Sequence, residues 1–230
     1  YEDDTLGRLS RTSAYVAATA YGAMPEVDAA LKRVRRAHRR VKGTSHRGRA
    51  YSASDGSGAA WVHNVLVDSF LTAFAVFGPG TLTQERGDLF ASEQAALGKM
   101  LGAPELPTTR DDLAMWIDSH PDIEVSPGME AAVSFLRNPP LPRPAAAPYR
   151  ILYNAAVTTS PPRVASMLDV RSPPGALAAG RLLVAGLRWS LGSSPSWWLA
   201  LQRIGADAPP RIHFRRPPPV DGIEEIFLPS

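Results

Sequence analysis

Apolar residues recur at helical spacing along most of the chain. Leu6, Leu9, Ser13, Val16 and Ala20 form one stripe over residues 4–21. Asp3 or Asp4 is placed to cap this helix, and Gly22 and Pro25 end it. A second helix is expected over 26–42, with Gly43 as its stop, then a polar loop over 44–57. The third runs from about Ala59 to Phe77 and ends at "GPG", 78–80. A fourth spans about Gln84 to Leu101. The stretch "PTTRDDLAMWIDSH", 107–120, offers Thr108 or Thr109 as a cap, with acids in the first turn where the helix dipole favours them. Residues 127–137 continue the pattern. "NPPLPRPAAAP", 138–148, reads as a stiff non-helical connector. Weaker helical patterns follow over 149–168 and 175–190. Clean period-two alternation and Asn-Gly or Asp-Gly hairpin signals between apolar runs are missing. The expected fold class is all-α, with a helical domain over 1–205 and a proline-rich basic tail over 206–230.

Composition narrows this picture modestly. A chain of 230 residues with 44% hydrophobic and 20% charged side chains fits one compact domain, or two small ones, with a real core. The net charge of +3 is too small to identify a partner. The absence of cysteine excludes disulfides, thiolate metal sites and cysteine nucleophiles. The run "AAWVHNVLVDSFLTAFAVF", 59–77, is long enough to span a bilayer, but His63, Asn64, Asp68 and Ser69 interrupt it. A buried core helix is expected there and no stable membrane span. The expected compartment is the cytoplasm. Secretion or membrane association stays open, because the sequence begins at Tyr1 rather than methionine and a targeting segment could precede it.

The most basic segment is "VRRAHRRVKG", 34–43. Residues 32–49 hold nine Lys or Arg and no acid, which by composition suggests phosphate contacts. Periodicity separates the charges from the histidine. Val27, Leu31, Val34, His38 and Val41 share one face, and Arg33, Arg36, Arg39 and Arg40 fall away from it. His38 is therefore expected on the buried side of a helix whose outer face is solvated. No nucleic-acid motif accompanies the charges, and no nucleic-acid partner is expected.

A histidine on a buried face is ordinarily a neutral imidazole with hydrogen-bond partners. A second one complicates that reading, since His63, Val67, Phe70, Phe74 and Phe77 also share a face. Two inward imidazoles among apolar side chains suit a flat apolar cofactor with one axial nitrogen ligand, or a metal site. On the first helix Arg8, Thr12, Tyr15 and Thr19 share a polar face. An arginine and a threonine one turn apart can hold a carboxylate or line a pocket; they can equally be an exposed helix edge.

The segments "DTLGRLSRTSAYVAATAYG", "VRRAHRRVKG", "YSASD…WVHNVLVDSFLTAF" and "LPTTRDDLAMWID" resemble, in order and approximate spacing, the rubber oxygenase (latex-clearing protein) catalytic-domain family. That family includes a membrane-bound fungal oxygenase of mycophenolic acid biosynthesis and many bacterial members described only as a domain of unknown function. The resemblance covers roughly residues 4–212. It implies a globin-like helical bundle with haem b. His38 is similar to the proximal iron ligand, and Arg8 and Thr12 to pocket residues on the other side of the haem. Where rubber oxygenase has a distal lysine, this chain has Arg11, which stays protonated and is a poor ligand. His63 matches the "WVH" element as a pocket residue. Two departures stand out. The glycine-rich segment upstream of "LGRL", where rubber oxygenase holds a catalytic acid, is not in this sequence. The usual "DPELL" opening of the third helix is "DGSGAA", with two glycines that predict a late start.

The expectation is thus an oxygenase with haem b on His38, using O2 on a hydrophobic isoprenoid, lipid or secondary-metabolite substrate, with Arg8, Thr12 and His63 in the pocket. The alternative is a haem-free helical relative. It would bind a small apolar ligand or perform non-redox acid/base chemistry with His38 and His63.

Overall fold

The computed structural model describes residues 5–104, 106–192 and 194–207. The proposed caps Asp3 and Asp4, and the tail beyond Asp207, lie outside the described residues. The described chain is all-α, with one two-stranded hairpin. Its backbone groups into two compact units. The first comprises 5–41, 52–54 and 187–207, and the second 42–51 and 55–186 in their described parts.

The first unit is built on α1 (Thr5–Tyr21), α2 (Met24–His38) and α10 (Pro195–Ile204). Gly22 and Ala23 are all that separates α1 from α2, so α2 must fold back along α1. Ala18 and Ala30 meet at the contact, and Tyr15, Ala17, Tyr21 and Leu199 close around them. Small side chains at the crossing let the helices approach closely. Ala23 has no side chain to cap α2. The Glu26 carboxylate accepts the Ala23 N–H instead, the returning half of a capping box. Arg203 of α10 then binds both sides of the link, donating 3.0 Å to the Tyr21 carbonyl and pairing with Glu26 at 3.0 Å.

The second unit contains β1 (Lys42–Thr44), β2 (Ala50–Ser52, whose last residue belongs to the first unit), α3 (Gly56–Phe77), α4 (Gln84–Met100), α5 (Arg110–Ser119), α6 (Pro127–Arg137), α7 (Arg143–Thr159) and α8 (Pro162–Met167). α9 (Ala176–Leu191) starts in it and ends in the first. Thr83, Thr109 and Ser126 cap α4, α5 and α6 by accepting the backbone N–H three residues on. The core lies where α3, α4 and α5 converge. Val67, Leu71, Leu113 and Ile117 form one cluster, and Ala60, Ala95, Ala103 and Leu106 another.

Four sequence expectations change. α2 ends at His38, so Gly43, expected as its stop, lies in β1 instead. α3 starts at Gly56 rather than late, because a close approach needs that glycine: a Cβ there would lie 2.7 Å from the Gly102 carbonyl oxygen. The expected connector over 138–148 is helical from Arg143. Pro144 sits in the first turn, where its missing N–H has no helical acceptor to lose. Pro148 removes one further bond, and the helix continues past it. The loop expected over 44–57 contains a hairpin. Exposed ion pairs tether it: Arg49 with Asp122 at 2.6 Å, Arg47 with Glu124, and His46 with Glu124 at 2.8 Å.

α3 is the one described helix long and apolar enough to cross a membrane, with a mean hydropathy of 1.4. Its buried residues are Ala60, His63, Asn64, Val67 and Leu71, while Val62, Phe70 and Phe74 are exposed. The expectation of a fully buried core helix is therefore half met. The helix is covered at His63 and Leu71 and open at Phe70 and Phe74.

Candidate functional site

Arg8, Arg11, Thr12 and His38 all belong to the first unit, on α1 and α2. Counted from the Gly22–Ala23 link at 1.5 Å per residue, Arg8 lies about 21 Å along α1 and His38 about 22 Å along α2. Thr12 lies about 15 Å along α1 on the same count. The helical hairpin therefore carries all three towards its open end. Arg8, Arg11, Thr12 and His38 are exposed there, as are the apolar Leu9 and Val41. The Thr12 hydroxyl donates to the Arg8 carbonyl at 2.9 Å, which ties the two positions together within α1.

His38 corrects the sequence reading. It was expected on the buried side of α2 and is exposed. The stripe does begin buried, with Val27 and Leu31, but Val34 is only half-buried and His38 and Val41 are open. Helical periodicity gives the face a residue occupies, but not how far the covering helix extends along it. The buried part of α2 ends at Leu31. His38 is the last residue of the helix, and its carbonyl accepts the Val41 N–H as the chain turns away. Its imidazole makes no hydrogen bond or ion pair among the described residues. The polar face of α1 also divides: Tyr15 and Thr19 are half-buried beside α2, and burial pushes the Tyr15 phenol pKa up.

His63 lies in the second unit and is buried, as periodicity predicts. A ring nitrogen bonds the Gln94 backbone, while Nε2 is enclosed without a partner. Burial holds the imidazole below the usual histidine range, and the Gln94 bond opposes this more weakly. The neighbouring Asn64 is also buried, with Nδ2 unpartnered. Gly98 of α4 makes room for the ring. A Cβ there would sit 2.2 Å from Leu106 Cδ1 and 3.0 Å from His63 Nε2. Gly98 was not singled out from sequence, and Asn64 was noted only as a break in the apolar run over 59–77. A glycine inside a helical pattern is a signal of close approach, and Gly98 fits it. Asn64 carries no such signal.

The depressed pKa of His63 has a signed consequence. The unfolded chain binds a proton near the ordinary value of 6.5, and the folded chain does so only at lower pH. The contribution of neutral His63 is complete above pH 6.5 and is lost as pH falls from there towards the folded value. The melting temperature of the wild type should drop between pH 6.5 and 5 more steeply than that of His63→Gln. Parallel profiles would show that His63 titrates as it does when unfolded.

Among the described residues no three His, Asp or Glu side chains converge as a metal cluster. Arg8, Thr12 and the exposed His38 imidazole lie towards the open end of one α-hairpin in an all-α chain. The chain matches the family described as ER-bound oxygenase mpaB/B′/rubber oxygenase, catalytic domain, over residues 1–189, most of its length, and it belongs to that family. Its domain is of the oxygenase type, which places the protein among enzymes. No curated protein and no solved structure matches it.

Proposed function

We propose that the protein is a haem b-dependent oxygenase that acts with O2 on a hydrophobic substrate and uses His38 as the proximal iron ligand. The observation behind this reading is the open end of the α1–α2 hairpin, where an exposed, unengaged imidazole shares a helical pair with Arg8 and Thr12. These residues fit the group. To hold its iron the group would need one imidazole nitrogen, which His38 would supply, and no converging carboxylates. When bound, haem b supplies an iron that activates dioxygen.

The chain's own residues divide the remaining work. Arg8 stays protonated and suits a propionate or a polarised oxygen. While the Thr12 hydroxyl donates to the Arg8 carbonyl, Thr12 offers the pocket lone pairs and no proton, which leaves Arg8 as the donor. Arg11 cannot ligate iron, so it does not block a distal position as a lysine would. Within the first unit, Leu9 and Val41 expose apolar surface that suits an isoprenoid, lipid or secondary-metabolite substrate. This reading takes the protein as cytoplasmic and free of nucleic acid.

Titrating the full chain with haemin tests the reading. A Soret band that grows and saturates at one haem per chain is expected. A protein that stays colourless would overturn it and favour haem-free acid/base chemistry. That second reading rests on His63, whose buried Nε2 is unpartnered and neutral at pH 7. It predicts an activity lost in His63→Gln without any bound cofactor.

A further inference from the structure

A cavity of about 190 Å³ lies within the second unit, remote in sequence from Arg8, Thr12 and His38. Ala114 and Ile117 of α5, Ile123 of the following loop and Val164 of α8 line it, and Asp68 of α3 contributes its one half-buried carboxylate. At its rim, Arg163 donates to the Asp118 backbone carbonyl, so α8 is fastened to the end of α5 and the guanidinium is engaged there. An apolar cavity of about 150 Å³ is already large enough to hold a benzene ring.

Asp68 is the unusual member of this lining. It accepts no hydrogen bond among the described residues, and its one electrostatic partner, Arg110, is not part of the cavity wall. A half-buried carboxylate facing apolar side chains has lost hydration without regaining a donor. Burial accordingly pushes its pKa up, more than Arg110 pulls it down. The lining holds two acidic side chains, Asp68 and Asp118, against the single Arg163, an excess of one negative charge. A ligand that restores what Asp68 lacks must bring an N–H donor, a positive charge and a compact apolar body.

We infer that this cavity is a binding site for a small ammonium compound with an apolar body the size of a single ring, its cation paired with Asp68 and its body against Ile117, Ile123 and Val164. The site does not depend on haem, and its test is independent of the test of His38. A neutral analogue fills the same apolar space without the charge-assisted bond, and an anion meets Asp68 with like charge.

The test is calorimetric or NMR titration of the full chain with benzylamine, benzyl alcohol and benzoate. Benzylamine, protonated at neutral pH, should bind at least about tenfold tighter than benzyl alcohol, the difference expected of one charge-assisted hydrogen bond. Benzoate should not bind. Asp68→Asn should bring benzylamine down to the level of the alcohol. Ala114→Trp, which fills the cavity from its rim, should abolish both, and it carries the test if the Asp68 variant does not fold. Equal binding of amine and alcohol, no binding of either, or a preference for the amine that survives Asp68→Asn or Ala114→Trp would each overturn the proposal.

Discussion

His38→Ala is expected to remove haem binding while leaving the fold intact. The imidazole is exposed at the last residue of α2 and has no side-chain partner, so truncating it opens no cavity and orphans no donor. Surface substitutions of this kind usually change stability by no more than about 0.5 kcal/mol. As the proposed iron ligand, by contrast, His38 is the one histidine that α1 and α2 could offer. Haem affinity should fall by about a hundredfold or more, equivalent to about 2.7 kcal/mol. The Soret band of the loaded wild type should be absent from the variant at equal haemin concentration, with the melting temperatures alike. Millimolar free imidazole should restore part of the band by occupying the space the side chain left. Tight haem binding retained without His38 would move the ligand elsewhere and end the present assignment.

Leu113→Ala should have the largest effect on stability. Leu113 is 2% exposed and packs with Val67, Leu71 and Ile117 where α3 meets α5. Truncation removes buried methyl groups and leaves a void that the neighbours only partly fill, at a cost of about 2–5 kcal/mol. Urea unfolding followed by circular dichroism should show a lower midpoint for the transition of the second unit. Leu182→Ala, at a leucine 75% exposed, is the matched control and should shift it little. Equal effects at the two positions would mean that the α3–α5 contact is not the centre of that unit.

Legibility in the sequence differed between fold and site. Caps announce themselves locally: the sequence narrowed the cap of α5 to Thr108 or Thr109, and the structure uses Thr109, because the bond spans only three residues. Apolar periodicity likewise gave the covered face of α3 as far as His63 and Val67. It failed at His38, where burial depends on where the covering helix stops, and at Phe70, which is exposed although its neighbour Leu71 is buried against α5. The helical segment around Pro148 was lost for a related reason. Proline lowers helix propensity, but the surrounding turns of α7 carry the backbone past it. The cavity beside Asp68 draws on α3, α5 and α8, and no spacing within one segment could have brought those residues together. The roles offered for Arg8, Thr12 and His38 came from family resemblance. The hairpin adds that all three lie towards one end of a single helical pair.

The first unit is assembled from the two ends of the described chain. α1 and α2 are sealed by α10, whose Arg203 holds the Tyr21–Glu26 turn from some 180 residues away. The second unit draws almost wholly on the chain in between. On the ribosome, chains emerge N-terminus first and domains fold as units. Of the two described units, the one bearing Arg8, Thr12 and His38 therefore begins to emerge before the other and is completed after it. Its opening helices wait, with their apolar residues uncovered, while the whole second unit is synthesised. Closing so long a loop is slow compared with forming neighbouring helices. The unit that carries the proposed site is thus closed only once α10 has been made and has returned to α1 and α2.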